Sequence, residues 1–298
     1  MPSAQLVIDS HFHIWRRDDL PWLNGPMVPR IFGPYEPIRR DYSIDEYRAD
    51  LDGCGVAKAV YVQTNWAKED FEKEVAWVTD TAKATGWPHA IVGYADMTVE
   101  DVRPQLDRLT AYPLLRGVRM QLHWHEVPEY RFASGPDQVL DPAVRRNVAR
   151  LKDYGLSFDL QLFPAQMRAG AELVGDNPET DFILTHCGML VDDRPETVAA
   201  WKEGLAHLAP FPNLYAKLSG LGTFVHRNDP ALIALIVDAA IEIFGSDRLM
   251  FGSNFPIEKL WTNYGAVVSA HRAAAERHGD KAVSHILHDT AERIYRPV

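Results

Sequence analysis

The chain of 298 residues is 46% hydrophobic and 24% charged, the composition of a globular protein with a large core rather than a disordered, fibrous or membrane-spanning one. Its formal net charge of -10 argues against nucleic acid or an anionic membrane as partner, since both require a basic face. Two cysteines, Cys54 and Cys187, exclude a disulfide framework, and the opening Met-Pro-Ser-Ala-Gln has neither the basic nor the apolar character of a leader, so a cytoplasmic protein acting on a small molecule is expected.

Short apolar runs alternate with helical patterns along the whole chain. The runs predict strands over Leu6–His11, Ala59–Thr64, His89–Asp96, Leu115–Leu122, Leu156–Leu162, Asp181–Cys187, Asn213–Gly220 and Arg248–Asn254. Between them, Ser43 with Glu46 reads as a capping box, and Asp141-Pro142 and Asp229-Pro230 each set a capping carboxylate before a first-turn proline. Gly53, Gly86, Gly155 and Gly245 fall where helical patterns stop. Eight βα units predict an α/β fold, a (β/α)8 TIM barrel forming a single domain over residues 1–298. Two stretches depart from the alternation. Residues 16–41 and 125–141 are too rich in proline for helices and too apolar for solvated tails, so they are expected to be long active-site loops after strands one and four.

Barrel enzymes place their chemistry where strands end, and histidines end at least three of these strands. His11 and His13 are two residues apart, so an extended backbone points both imidazoles the same way, as a shared metal ion or a catalytic pair requires. His186 closes strand six before a Cys-Gly turn and is read as a third ligand or a general acid/base. Arg119 and Lys217 are charges inside apolar runs: either they pair with Asp9, Asp159 or Glu126, or they face the cavity and hold a substrate anion. Gln63, His123 and Trp124 are expected to line the pocket, although His123 with His125 could also form a second metal pair. Of the other histidines, those at 207, 226, 271, 278, 285 and 288 fall mostly in helical or loop patterns and read as surface or capping residues, His226 being the least settled because it follows strand seven.

The segments Asp9-Ser10-His11-Phe12-His13-Ile14-Trp15, Gly117-Val118-Arg119, Thr185-His186-Cys187-Gly188-Met189, Tyr215-Ala216-Lys217-Leu218-Ser219-Gly220 and Met250-Phe251-Gly252-Ser253-Asn254-Phe255-Pro256 together resemble the amidohydrolase superfamily, in its amidohydrolase 2 branch of sugar lactonases and pyrone-dicarboxylate lactonases. The resemblance implies that His11, His13 and His186 surround one divalent metal, zinc or manganese, or polarise a lactone carbonyl directly in a metal-free site. It is also compatible with a homodimer. It further implies an aspartate at the end of strand eight, where this chain has Asn254. An amide has no basic lone pair near neutral pH, so Asn254 can orient a water but cannot take its proton. Three accounts follow: Glu258, or else Asp9 or His186, is the base; a bound metal acidifies the water; or hydrolysis has been lost.

The function expected on these grounds is hydrolysis of a small polar or carboxylated lactone of the sugar-acid, muconolactone or pyrone-carboxylate type. In that expectation His11, His13 and His186 stabilise the oxyanion, Asn254 and Glu258 align water, and Arg119 and Lys217 hold the substrate. A metal-dependent nonoxidative decarboxylase of an aromatic or enoic acid, and a barrel that binds a carboxylated ligand without turnover, are the alternatives.

Overall fold

The computed structural model describes residues 6–298. Its eight strands, β1 Val7–Phe12, β2 Val56–Val62, β3 Ala90–Gly93, β4 Leu115–Val118, β5 Ser157–Leu160, β6 Phe182–Leu184, β7 Leu214–Leu218 and β8 Leu249–Phe251, pair in parallel and in chain order, with a helix in every crossover. This is the expected (β/α)8 barrel. Strands β3 to β8 are shorter than the apolar runs that announced them. Residues 119–122, 161–162, 185–187, 219–220 and 252–254 leave the ladder at the C-terminal mouth, where their side chains are free to build a site.

Capping residues start several crossovers where expected. Ser43 Oγ accepts from Glu46 N–H, Asp141 from Ala143 N–H, and Asp229 from Ala231 and Leu232 N–H. The reciprocal half of the first box does not form, because the Glu46 carboxylate is taken by Arg40 (2.6 and 2.7 Å) and Lys259 (2.8 Å). Among the described residues no helix is long and apolar enough to cross a membrane.

β1 contains an irregularity on which the site depends. Asp9 faces Ala59 and Phe12 faces Tyr61, so three residue steps on β1 match two on β2. An extra residue of this kind shifts the inward and outward phase of a strand. Ile8 belongs to the apolar cluster inside the barrel, whereas Val7 and Phe12 pack outward beneath the helices. Beyond the bulge, the inward positions therefore become His11 and His13.

Asp9 holds this geometry from outside the barrel. It accepts from His11 N–H (3.0 Å), Ser253 N–H (2.9 Å) and the hydroxyls of Tyr47 and Tyr264 (2.9 Å each), which joins β1, the end of β8 and two outer helices. The barrel closes alongside it through Ser10 Oγ to Phe251 O (2.6 Å), Asn254 N–H to His11 O (2.7 Å) and His13 N–H to Phe255 O (2.8 Å). The opposite end is plugged by the final helix, Thr290–Tyr295: Ala291, Ile294 and Tyr295 pack on Ile8, Val60 and Met250.

Candidate active site

The strand ends and the two long loops enclose a cavity of about 300 Å³ at the C-terminal mouth. Its floor contains His13, Gln63, Arg119, His123, His186 and Asn254, all singled out in the sequence. Trp22, Arg30 and Phe32 from the first loop form the roof, and Glu129, Arg131 and Phe132 from the second form a wall. Four other sequence-predicted residues lie elsewhere. His11 is buried beneath the floor, against the rings of His13 and His186 at centroid separations of 5.0 and 4.9 Å. Lys217 is deeper in the barrel, paired to Asp159 at 2.6 Å. Trp124 is outside the lining; its backbone N–H donates to Gln166 Oε1 and its ring lies under Arg131. Glu258 is buried behind Asn254.

Each histidine is held in a defined state. His13 Nδ1 lies 2.7 Å from Val62 O, and His186 Nδ1 lies 3.0 Å from Ser219 O and 2.9 Å from Ser219 Oγ. A carbonyl can only accept, so each neutral ring carries its hydrogen on Nδ1 and presents Nε2 as a lone pair. Both nitrogens of His11 are buried without a protein partner. Burial first, then positive neighbours, keeps all three rings neutral: Lys217 acts on His11 and Arg119 on His186, each well below the usual imidazole range, and His13 is lowered to about 3 by burial and Arg119. His186 sits at a left-handed φ of 54°, as does Asn254 at 55°, conformations that side-chain-bearing residues adopt at a cost and that recur at functional sites. Gly220 makes room for the first of them: a Cβ there would lie 2.6 Å from His186 Nδ1, and its own φ of +61° suits glycine.

Glu258 is the carboxyl nearest to Asn254 in function. Burial raises it to about 7 against hydrogen bonds from Trp261, Asn254 and Thr223 that pull the other way. Trp261 Nε1 donates to its Oε2 at 2.8 Å, and Thr223 Oγ1 lies 3.4 Å from its Oε1. The Asn254 side chain is near enough to both groups to pull Glu258 down and His13 up, each against a larger effect of burial. Thr223 lines the cavity itself and is a residue that sequence reasoning missed. Asp9, with four donors already on its two oxygens, has no oxygen to offer a reacting group.

Several buried polar atoms facing this region have no protein partner: Gln63 Nε2, Arg119 Nε, Gln121 Oε1, His123 Nδ1 and Gln161 Oε1. Orphaned buried donors and acceptors are costly, and grouped around one cavity they mark a polar ligand site. His125 is outside the cavity floor, packed on Tyr130 and Phe163. His271, expected at the surface, is instead buried, its Nδ1 at 2.8 Å from Val267 O and its ring edge-on to Phe251. His226 bonds Ile31 O at 3.2 Å and so steadies the roof loop.

The donor chemistry of the imidazoles suits a single divalent ion. Two Nε2 lone pairs are fixed by backbone carbonyls and a third ring is unpartnered, as in sites where outer partners orient metal-binding histidines. As they stand, no three His, Cys, Asp or Glu side chains among the described residues converge into a metal cage.

The sequence profile of the family described as Amidohydrolase matches residues 8–296. The chain belongs to the amidohydrolase family. Similar proteins include Uncharacterized protein y4mH of Sinorhizobium fredii, 35% identical over 97% of this chain and 98% of its own length. L-fucono-1,5-lactonase of Burkholderia multivorans is 29% identical over 97% of this amidohydrolase and 96% of its own chain. A crystal structure of a Burkholderia multivorans amidohydrolase with bound zinc superposes with a TM-score of 0.80 at 28% identity, covering 98% of this chain and 100% of that one.

Proposed function

We propose that the protein hydrolyses the ring ester of a small, polar or carboxylated lactone. The observation that carries this reading is the buried imidazole cluster of His11, His13 and His186 at the floor of a cavity ringed by unpartnered polar atoms. The lactonase similar over nearly its whole length supports the reaction class. Gln121 Oε1 and Gln161 Oε1 are acceptors without donors, and substrate hydroxyls supply what they lack, which favours a sugar-derived ring over an aromatic acid.

In this reading water attacks the carbonyl carbon from the side of His13, His186 and Asn254, where the Nε2 lone pairs hold it through one hydrogen while the other points to Thr223. The developing oxyanion is met by donors, and with Nε2 of His13 and His186 acting as acceptors that task falls to Arg119 and His11. Burial lowers the Arg119 guanidinium only to about 10, so it remains a cation near neutral pH. Thr223 accepts the proton from water while passing its own to Glu258, and the proton then returns to the ring oxygen as the C–O bond breaks, giving a hydroxy acid. Lys217 acts from below through charge rather than contact, holding His11 neutral. His11, His13 and His186 are the residues that would hold a divalent ion, which when bound would polarise the carbonyl and acidify the water.

The test is a screen of sugar lactones, muconolactones and pyrone carboxylates, with zinc or manganese supplied, on wild type and His11→Ala. Ring opening by wild type that His11→Ala abolishes is expected; no turnover of any lactone, or turnover indifferent to His11, overturns the reading.

A further inference from the structure

Arg30 lines the roof of the cavity, opposite the imidazole floor, and has no assigned role in the hydrolysis just described. Its guanidinium stacks over Trp22 at 5.2 Å and Tyr35 at 5.8 Å. Its Nε is buried without a hydrogen-bond partner, and among the described residues it has no ion-pair partner. The other two arginines of the cavity are engaged. Arg131 donates to the carbonyl oxygens of His125 and Glu126 and covers Trp124, and Arg119 donates to Gln63 O at 2.6 Å.

The loop that carries Arg30 is fixed rather than loose. Trp22 Nε1 donates to Thr64 O at 2.9 Å, Arg39 donates to Leu23 O (3.0 Å) and Gly25 O (2.8 Å), and His226 meets Ile31 O. The guanidinium is thus held in place by aromatic faces, with a buried Nε that no protein group satisfies. An arginine prearranged in this way fits a planar anion, because carboxylate oxygens match the guanidinium edge. The charge of the cavity points the same way. In a chain of net charge -10, the charged side chains lining this cavity are three arginines and one glutamate, the exposed Glu129.

We infer that Arg30 is a specificity-determining residue that binds a carboxylate on the substrate at the roof end of the cavity. The preferred substrate is accordingly a lactone that keeps a free carboxylate after ring closure, as a lactone formed from a sugar diacid does. The inference rests on the lactonase reading for its reaction, but not for its binding chemistry.

Two measurements separate the two claims. The first compares kcat/KM of wild type, Arg30→Gln and Arg30→Met on glucaro-1,4-lactone, which carries a carboxylate, and on neutral galactono-1,4-lactone. The preference for the carboxylated ring is expected to fall by about 10- to 100-fold in both variants, chiefly through KM, the range that one charged hydrogen-bonded contact supplies. Arg30→Met sets an uncharged apolar side chain beside the aromatic rings, so a role in packing alone would leave that preference unchanged, and this outcome overturns the inference. The second is calorimetric binding of open-chain glucarate, which requires no turnover. Weaker binding by Arg30→Gln than by wild type supports the carboxylate site even where no lactone is opened. Equal binding by the two, or no binding by wild type, overturns it while leaving hydrolysis of neutral lactones untouched.

Discussion

Glu258 N–H donates to the Asn254 carbonyl at 3.3 Å, which sets a buried carboxyl one turn beyond the asparagine. The expected strand-eight acid is thus not simply missing: a carboxyl lies four residues further along the chain, withdrawn into a pocket of Trp261 and Thr223. The withdrawal changes its chemistry. Desolvation lifts Glu258 to about 7, so near neutral pH it exists in both the accepting and the donating form, as a general base that later acts as an acid must.

Activity should accordingly rise with pH through about 7. Glu258→Gln should lower kcat by about 10²- to 10⁴-fold and flatten that limb, as measured by initial rates across pH 5 to 9. Stability should move the other way. A carboxyl raised in the folded state binds more protons there than in the unfolded chain between pH 4.5 and about 7, so unfolding becomes easier as pH rises through that window. The neutral amide removes this effect. At pH 8 Glu258→Gln should melt at or above the wild-type temperature, and at pH 4 the two should melt alike.

Asn254→Asp restores the acid expected at the end of strand eight and places it against Glu258. Two carboxyls sharing one site cannot both ionise easily, so one is pushed upward. The activating limb should move to higher pH by roughly one unit or more, and the rate at pH 7 should fall. An unshifted pH profile with higher activity would instead identify the aspartate as the better base and Glu258 as a bystander.

Much of this site is legible in the sequence. Polar residues ending apolar runs located His13, Gln63, Arg119, His123, His186 and Asn254, because strand periodicity and the barrel mouth together decide where such residues point. Period-two alternation predicts that His11 and His13 share one side, but not why that side is the inward one: the bulge between Asp9 and Phe12 is a property of pairing with β2, and no pattern within β1 alone reveals it. Lys217 illustrates an ambiguity that sequence leaves open. A buried lysine needs a carboxylate, and only the fold shows that Asp159 supplies it. Trp124 lies outside the lining because its ring is covered by Arg131, and Glu129, Arg131 and Phe132 take the wall instead. Thr223 and Arg30 gave no local signal, since one follows an apolar glycine turn and the other sits in a proline-rich loop; their importance comes from what surrounds them in space.

The three imidazoles predict a binding measurement that does not depend on turnover. After dialysis against a chelator, addition of zinc or manganese should raise the melting temperature of wild type, because a ligand that binds only the folded state stabilises it by mass action. His11→Ala and His186→Ala should lose most of that shift. His123→Ala should keep it, because the His123 ring packs against Phe132 and Phe163 rather than against the other imidazoles. A shift of equal size in His11→Ala would assign the ion to another site.

The deepest charge pair predicts a stability effect. Lys217 and Asp159 are both fully buried, 2.6 Å apart, and the second carboxylate oxygen accepts from Tyr295 of the terminal helix at 2.7 Å. The pair therefore connects the barrel interior to the plug beneath it. Removing one partner leaves an uncompensated charge out of reach of water, so Lys217→Met or Asp159→Leu alone should cost about 3–5 kcal/mol. The double variant replaces two ions by apolar groups of similar bulk and should recover much of the loss, because the desolvation of both charges disappears together. Tyr295→Phe removes one hydrogen bond to a carboxylate that keeps its lysine, and should cost about 1–3 kcal/mol. Urea denaturation of the four variants measures these differences directly. If Lys217→Met were as stable as wild type and only its KM rose, Lys217 would be a substrate ligand in spite of its position beneath the floor.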